Sequence, residues 1–375
     1  MGISLGGLRA HDGRENNFDA IRLAMALLVV FSHSFALATG RPFAGLTTVS
    51  PGAFGRAVFF AVSGFLVARS WERSKGAADF LHRRVRRLLP AYVVAFALSA
   101  WVVAPLASDR PSSWLGAEGV GTNLGRLALL HHVEGDAFRA NPYPSKVNGS
   151  LWTLRFEFGF YVLVAGAGLA GVISRPRTVI AAFAGVWGLM ILAAWKTFDT
   201  RASAGVAHVL GHPWNWIEFG TWFWAGVTAY ALRGRVRYPG WGAALAAAAV
   251  GWTLVRQDGS HIYVWPIAVP YLTLWVAFTP RVRLHDAVKW LGGDYSYGVF
   301  LYSFPIQQAC VAWLGCAGRP WLLFAVAVPL SLAAAVLSWR CIERPAPRRP
   351  RATAGPSTGT LSISSAVVPV PTATV

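Results

Sequence analysis

The chain has 375 residues, 55% of them hydrophobic and only 13% charged, with a mean hydropathy of +0.45. A soluble domain of this length needs far more charge on its surface, which excludes a soluble enzyme or binding module. The net charge of +18 is spread along the chain rather than gathered on one face or tail, which excludes nucleic acid as its partner.

Apolar runs of 15 to 24 residues recur along the sequence, and a helix needs about 20 to cross a bilayer. They predict an all-α, polytopic membrane protein of about ten spans. In chain order these are 21–39, 54–70, 88–106, 150–173, 178–195, 215–232, 241–255, 262–278, 295–315 and 321–339. Segment 122–132 is too short and polar to span and is expected at the interface. With the N-terminus inside, the inner segments hold 21 Lys and Arg and the outer segments hold 9. The long outer connection 107–149 offsets its four basic residues with Asp109, Glu118, Glu134 and Asp136. Under the positive-inside rule, this asymmetry puts both termini in the cytoplasm. Residues 1–20 then form a cytoplasmic segment, 21–345 the membrane domain, and 346–375 a tail expected to be disordered. Cys310, Cys316 and Cys341 offer neither a paired framework nor metal-ligand spacing, and no metal is expected. Ala36-Leu37-Ala38 has the form of a signal-peptidase site, and cleavage there would remove Arg22 and His33.

Ionisable side chains within a span cost about 2.5 to 3.5 kcal/mol each on insertion scales, so each asks for a reason. In the first span, Arg22 and His33 are eleven positions apart and fall about 20° from each other on the helix. Asp19 shares the stripe, but it lies about 21 Å from His33 along the axis and cannot orient that imidazole. Glu157 and His33 lie at similar depths, about 10 and 9 Å from the outer ends of their spans, and are expected to pair. A histidine held by a carboxylate is the usual equipment of a general base. Two plainer readings stand beside it: a core histidine bonded to a carbonyl, and a Glu157 that compensates Arg155.

Arg84 and Arg87 share a face at the inner end of the third span, with Arg83 and Arg86 beside them. Such a cluster serves as a topology signal, or as a phosphate site for which the guanidinium fork is suited. Arg22 and Arg69 lie near the same inner boundary and favour the second role. Ser63, next to Gly64 in mid-span, lacks the G-x-S-x-G context of a nucleophile and is expected to pack or to line a substrate path. The 18 tryptophans suit interfacial belts first and sugar stacking second.

Six motifs now stand in order along the chain. They are F-D-A-I-R…H (Asp19, Arg22, His33), F-F-A-V-S-G-F-L (Phe59 to Leu66), R-x-x-R-L-x-P-x-Y (Arg84 to Tyr92), N-G-S-L-W-T-L-x-x-E-x-x-x-Y (Asn148 to Tyr161), Y-S-Y-G-x-x-L-Y (Tyr295 to Tyr302) and E-x-P (Glu343, Pro345). Together they resemble the acyltransferase-3 family of bacterial multi-spanning O-acyltransferases over nearly all of residues 16–345. The resemblance implies an enzyme of the bacterial inner membrane that moves an acyl group, usually acetyl, from cytoplasmic acyl-CoA to a hydroxyl. The implied acceptor is an exopolysaccharide, lipopolysaccharide or other glycan, with lipid-linked sugars and membrane lipids as partners and no permanently bound cofactor.

The resemblance also implies His33 as the essential base and Arg84 and Arg87 as donor-binding groups. Its motif positions Trp152, Tyr161 and Tyr302 are carried over as substrate- or donor-binding. One departure is Tyr302-Ser303-Phe304-Pro305, where many members read Y-x-H-x-P, so any role of that histidine is not carried over. Two other readings share these features: a transporter or flippase of lipid-linked sugars, and an acyltransferase acting on a small-molecule or antibiotic acceptor.

Overall fold

A computed structural model of the chain describes residues 2–4, 16–43, 49–195, 204–256, 258–279, 284 and 292–344. The expected tail at 346–375 lies outside the described residues.

The architecture is helical, as the apolar runs require. Helix α1 spans Phe18–Thr39 and ends on Gly40, whose left-handed φ of 70° lets its N–H reach the Ala36 carbonyl. Helix α2, Pro51–Glu72, is started by Ser50, whose hydroxyl accepts from the Ala53 N–H, and by a proline at its first position. Helix α3, Ala77–Leu98, continues through a π turn at Ser99–Val103 to Leu106, making one rod of 30 residues. Its length is about 45 Å.

The third span is expected to begin at 88. The helix instead starts eleven residues earlier, and Pro90 lies in its interior without an N–H for the turn below. Hydropathy misplaced the start because Ala77–Arg87 is polar and basic yet still helical.

The connection 107–149, expected on the outer side, is ordered. It holds helix α4, Ala117–Ala128, and a two-stranded pair, β1 (Val133–Glu134) with β2 (Lys146–Asn148). Buried amides fasten it to the bundle. Asn148 donates to Ser99 Oγ (3.1 Å) and the Leu301 carbonyl (3.0 Å), and Gln308 donates to the carbonyls of Tyr143 and Lys146. A 3-10 turn at Leu151–Thr153 leads into α5, Leu154–Leu169. Helices α6 (Pro176–Ala194), α7 (Ala204–Leu210), α8 (Pro213–Ala231), α9 (Gly240–Arg256), α10 (His261–Phe278), α11 (Ser296–Trp313) and α12 (Pro320–Ser338) follow.

Six stretches among the described residues are long and apolar enough to cross a membrane: 18–39, 51–72, 77–106, 176–194, 261–278 and 320–343. The other four expected spans fall on α5, α8, α9 and α11. Helices α5 and α9 have only 16 and 17 residues, and α8 and α11 carry many polar and aromatic side chains.

The packing turns on α2. It lies against α1 on one side and α8 on another. A Cβ on Gly64 would stand 1.9 Å from the Phe223 carbonyl oxygen, and one on Gly226 would stand 2.0 Å from that of Ala61. Backbone therefore touches backbone, as small residues at helix crossings allow. Around the same contact, Phe60 stacks on Phe219 at 4.6 Å and Phe160 on Phe223 at 4.9 Å.

Candidate active site

A cavity opens between α1, α2, α3, α5 and α11, with about 120 Å³ open to the centres of water-sized molecules. Its α2 wall runs from Arg56 to Val67, eleven residues or about 16 Å along the helix axis. The cavity is therefore long, with one end among Arg22, Arg84 and Arg87, on the side expected to be inner, and the other at Arg56, on the side expected to be outer.

The inner end is organised by Asp294, just before α11. Its carboxylate accepts from Arg22 (2.8 Å), from Arg87 (3.3 Å) and from the Ser296 hydroxyl (2.5 Å). Arg22 also pairs with Asp19 at 2.7 Å. Arg84 donates to Ser70 of α2 (3.0 Å), and its guanidinium faces the rings of Phe80 and Tyr161 at 6.0 and 5.9 Å. The Tyr161 hydroxyl donates to Glu157, and the charges acting on Tyr161 besides that carboxylate are Arg84 and Arg87. The Tyr297 hydroxyl donates to the Leu88 carbonyl at 2.8 Å and ties α11 to α3.

Six of the residues singled out from sequence line this one cavity: Arg22, Ser63, Arg84, Arg87, Glu157 and Tyr161. Asp19 stands behind Arg22 with its side chain 56% exposed. Arg69 neighbours Tyr230 on the side of the Glu72–Arg233 ion pair, away from the cavity lining. Trp152 packs edge-on to Phe156 and against Phe219, in the wall rather than the lining. Tyr302 donates to Ser338, whose hydroxyl in turn donates to Glu343.

The expected His33–Glu157 pair does not form. Glu157 accepts from Tyr161, whereas His33 packs edge-on to Phe304 at 5.1 Å and its Nδ1 is buried without a hydrogen-bond partner. The depth argument failed at the start of α5. It took the span to begin at the outer surface at 150, but Asn148 is wholly buried between α3 and α11. The chain thus enters α5 already deep in the bundle, and Glu157 falls level with the inner arginines.

The charge acting on His33 is Arg56, one helix away on α2. Arg56 lines the outer end of the cavity, its Nε is buried without a hydrogen-bond partner, and the acidic group facing it is Glu218 of α8. Arg56 falls inside the second expected span, 54–70, yet belongs to none of the six motifs. Asp294 is marked in the sequence only as an acid in a basic segment next to the Y-S-Y-G motif.

The outer loop carries its own polar cluster. His132 donates from Nε2 to the Glu134 carboxylate at 2.7 Å, and that contact is the main cause holding the Glu134 carboxyl down at about 2. The Trp114 indole donates to Asp136 at 2.6 Å. Among the described residues, no cluster of His, Cys, Asp and Glu has the make-up of a metal site.

Similarity to known proteins covers almost the whole length of the chain. A family model described as an acyltransferase domain matches residues 15–340. An O-acetyl transferase of Shigella phage Sf6 is 25% identical over 88% of this chain and 96% of its own. Nodulation protein 10 of Rhizobium leguminosarum bv. viciae is 28% identical over 89% and 94%. The exopolysaccharide production protein ExoZ of Rhizobium meliloti (strain 1021) is 29% identical over 80% and 91%. No solved structure matches the chain.

Proposed function

The chain belongs to the acyltransferase-3 family and is an acyltransferase, and from this premise we propose that it transfers an acyl group, acetyl first among them, from acyl-CoA to a hydroxyl of a glycan. The observation that carries this reading is the long cavity, cationic at its inner end and bordered by Arg56 at its outer end, with His33 on the neighbouring α1 outside the lining but within reach of the Arg56 charge. Coenzyme A pairs a phosphorylated head with a slender arm ending in the thioester. Arginine forks suit the phosphates, and a path of about 16 Å suits an arm that must present its thioester across half a bilayer.

In this reading Arg84, Arg87 and Arg22 hold the head group, held in turn by Asp294, Ser70 and Asp19. Glu157 and Tyr161 line the arm's path and balance the arginine charge, so Glu157 acts on the donor side. His33 takes the proton of the acceptor hydroxyl, and the apolar walls at Phe59, Phe60 and Phe300 keep water from the thioester. The proposed topology has ten spans with both termini on the cytoplasmic side of a bacterial inner membrane, which puts the arginines on the side where acyl-CoA is made. The names of the phage and ExoZ relatives, an O-acetyl transferase and an exopolysaccharide production protein, support acetyl and a glycan.

The test uses purified protein in liposomes with radiolabelled acetyl-CoA and the producing organism's surface glycan. Wild type should label the glycan, and His33→Ala should bind donor normally yet transfer at least 100-fold more slowly. Transfer by His33→Ala within tenfold of wild type would remove His33 as the base.

A further inference from the structure

Arg56 is not explained by donor binding. It lies about 21 Å along α2 from Ser70, which Arg84 bonds, and five residues inside the outer end of that helix, where a charge is costly to keep. Its Nε–H is closed off from solvent with no acceptor in reach, although it borders open space. Arg22, Arg84 and Arg155 also leave their Nε unpartnered. What sets Arg56 apart is its place at the far end of the cavity, where the acidic charge acting on it is Glu218 of the neighbouring α8. The Arg56 charge also acts on His33 of α1, the proposed base. Helix depth agrees: His33, Arg56 and Glu218 are six, five and five residues from the outer ends of α1, α2 and α8.

We infer that Arg56 is the oxyanion-stabilising group of the transfer, and that Glu218 is a positioning residue that holds its guanidinium. The inference rests on the acyl-transfer reading above. The acceptor hydroxyl gives its proton to His33 as its oxygen bonds to the thioester carbon. The carbonyl electron pair moves onto the carbonyl oxygen, whose new negative charge faces Arg56. That pair then re-forms the carbonyl, the carbon–sulfur bond breaks, and the thiolate takes the proton back from the imidazolium. A cation placed where charge develops stabilises the tetrahedral state more than the substrate, so it raises kcat rather than affinity. The low-dielectric surroundings strengthen that effect.

The experiment measures glycan acetylation in liposomes, together with binding of a non-reactive acetyl-CoA analogue whose sulfur is replaced by methylene. Arg56→Met should lose about 100- to 1000-fold in kcat, the range seen when an oxyanion donor is removed. Its KM for donor and its analogue affinity should stay within threefold of wild type. Arg56→Lys should recover part of the loss, and added guanidinium should partly rescue Arg56→Ala, which a merely structural role would not allow. Glu218→Gln should lose about tenfold in kcat with donor affinity unchanged.

A kcat for Arg56→Met within threefold of wild type overturns the assignment. So does a loss that appears in donor affinity instead of kcat. Should the Met variant fail to purify as a folded protein, Arg56→Lys and Glu218→Gln decide by the same kcat criterion, and full activity in both overturns it. Wild type that transfers nothing from acetyl-CoA refutes the underlying function itself, a result distinct from any of these.

Discussion

Asp294→Asn is the substitution that best probes how the inner end of the cavity is built. The carboxylate holds Arg22 at 2.8 Å and Arg87 at 3.3 Å, with side-chain exposures of 15% for Asp294, 14% for Arg22 and 49% for Arg87. The amide keeps the shape and loses the charge. Arg22 is nearly enclosed, so its charged hydrogen bond is worth about 1.5 to 3 kcal/mol. Arg87 is half exposed, and water screens its pairing to below about 1 kcal/mol. Asp19 remains on Arg22 but is itself more than half exposed and replaces little of the loss.

The sum is a destabilisation of about 2 to 4 kcal/mol, carried mostly by Arg22. Reversible unfolding in mixed micelles with increasing SDS measures it. Double-mutant cycles with Arg22→Met and Arg87→Met separate the two partners. The expected coupling is about 1.5 to 3 kcal/mol to Arg22 and under about 1 kcal/mol to Arg87. A loss below about 0.5 kcal/mol, or a larger coupling to Arg87 than to Arg22, would refute the assignment of Asp294 as the organising group.

Gly64→Ala should force α2 and α8 apart, because the new Cβ meets a backbone oxygen that has no rotamer to change. A loss of about 1 to 3 kcal/mol by the same unfolding assay is expected, with Gly185→Ala, which faces open space, as the neutral control. In the outer loop, the Glu134 carboxyl is held at about 2, below its ordinary 4.5, by His132 first. Its contribution to local stability is therefore complete above 4.5 and lost as pH falls toward 2. Hydrogen exchange over residues 131–148, corrected for intrinsic rates, should show protection falling in that window for wild type and flat for Glu134→Gln. Equal protection in wild type at pH 5 and pH 2.5 would contradict the pairing.

Much of the fold was legible because membrane helices announce themselves by composition, and the ordered motifs located the inner arginines. What failed was the use of span ends as rulers. Polar Ala77–Arg87 hid the true start of α3, and a buried loop residue, Asn148, carried the start of α5 below the surface. Both errors have one cause: hydropathy reports where a lipid-facing stretch begins, whereas depth in a bundle depends on which loops fold inward. Glu157 was thus assigned to the wrong end of the site. Arg56 was visible by the rule that drew attention to His33, an ionisable group within a span, but its partner Glu218 comes from a helix 162 positions away in the chain and no spacing argument reaches it.

The helix contact and the cavity also explain each other. Gly64 presses α2 onto α8 while Ser63, the preceding residue, faces the cavity. Successive residues on a helix point about 100° apart, so closing one side of α2 against α8 directs the adjacent side toward α3 and α5. The same helix bonds Arg84 of α3 through Ser70 near its inner end and presents Arg56 near its outer end. One rigid element, clamped at its middle by backbone contact, therefore sets the distance between the group proposed to anchor the donor and the group proposed to meet the reacting carbonyl. That distance does not depend on the outer loop, which leaves the loop free to differ with the acceptor while the reach of the donor stays fixed.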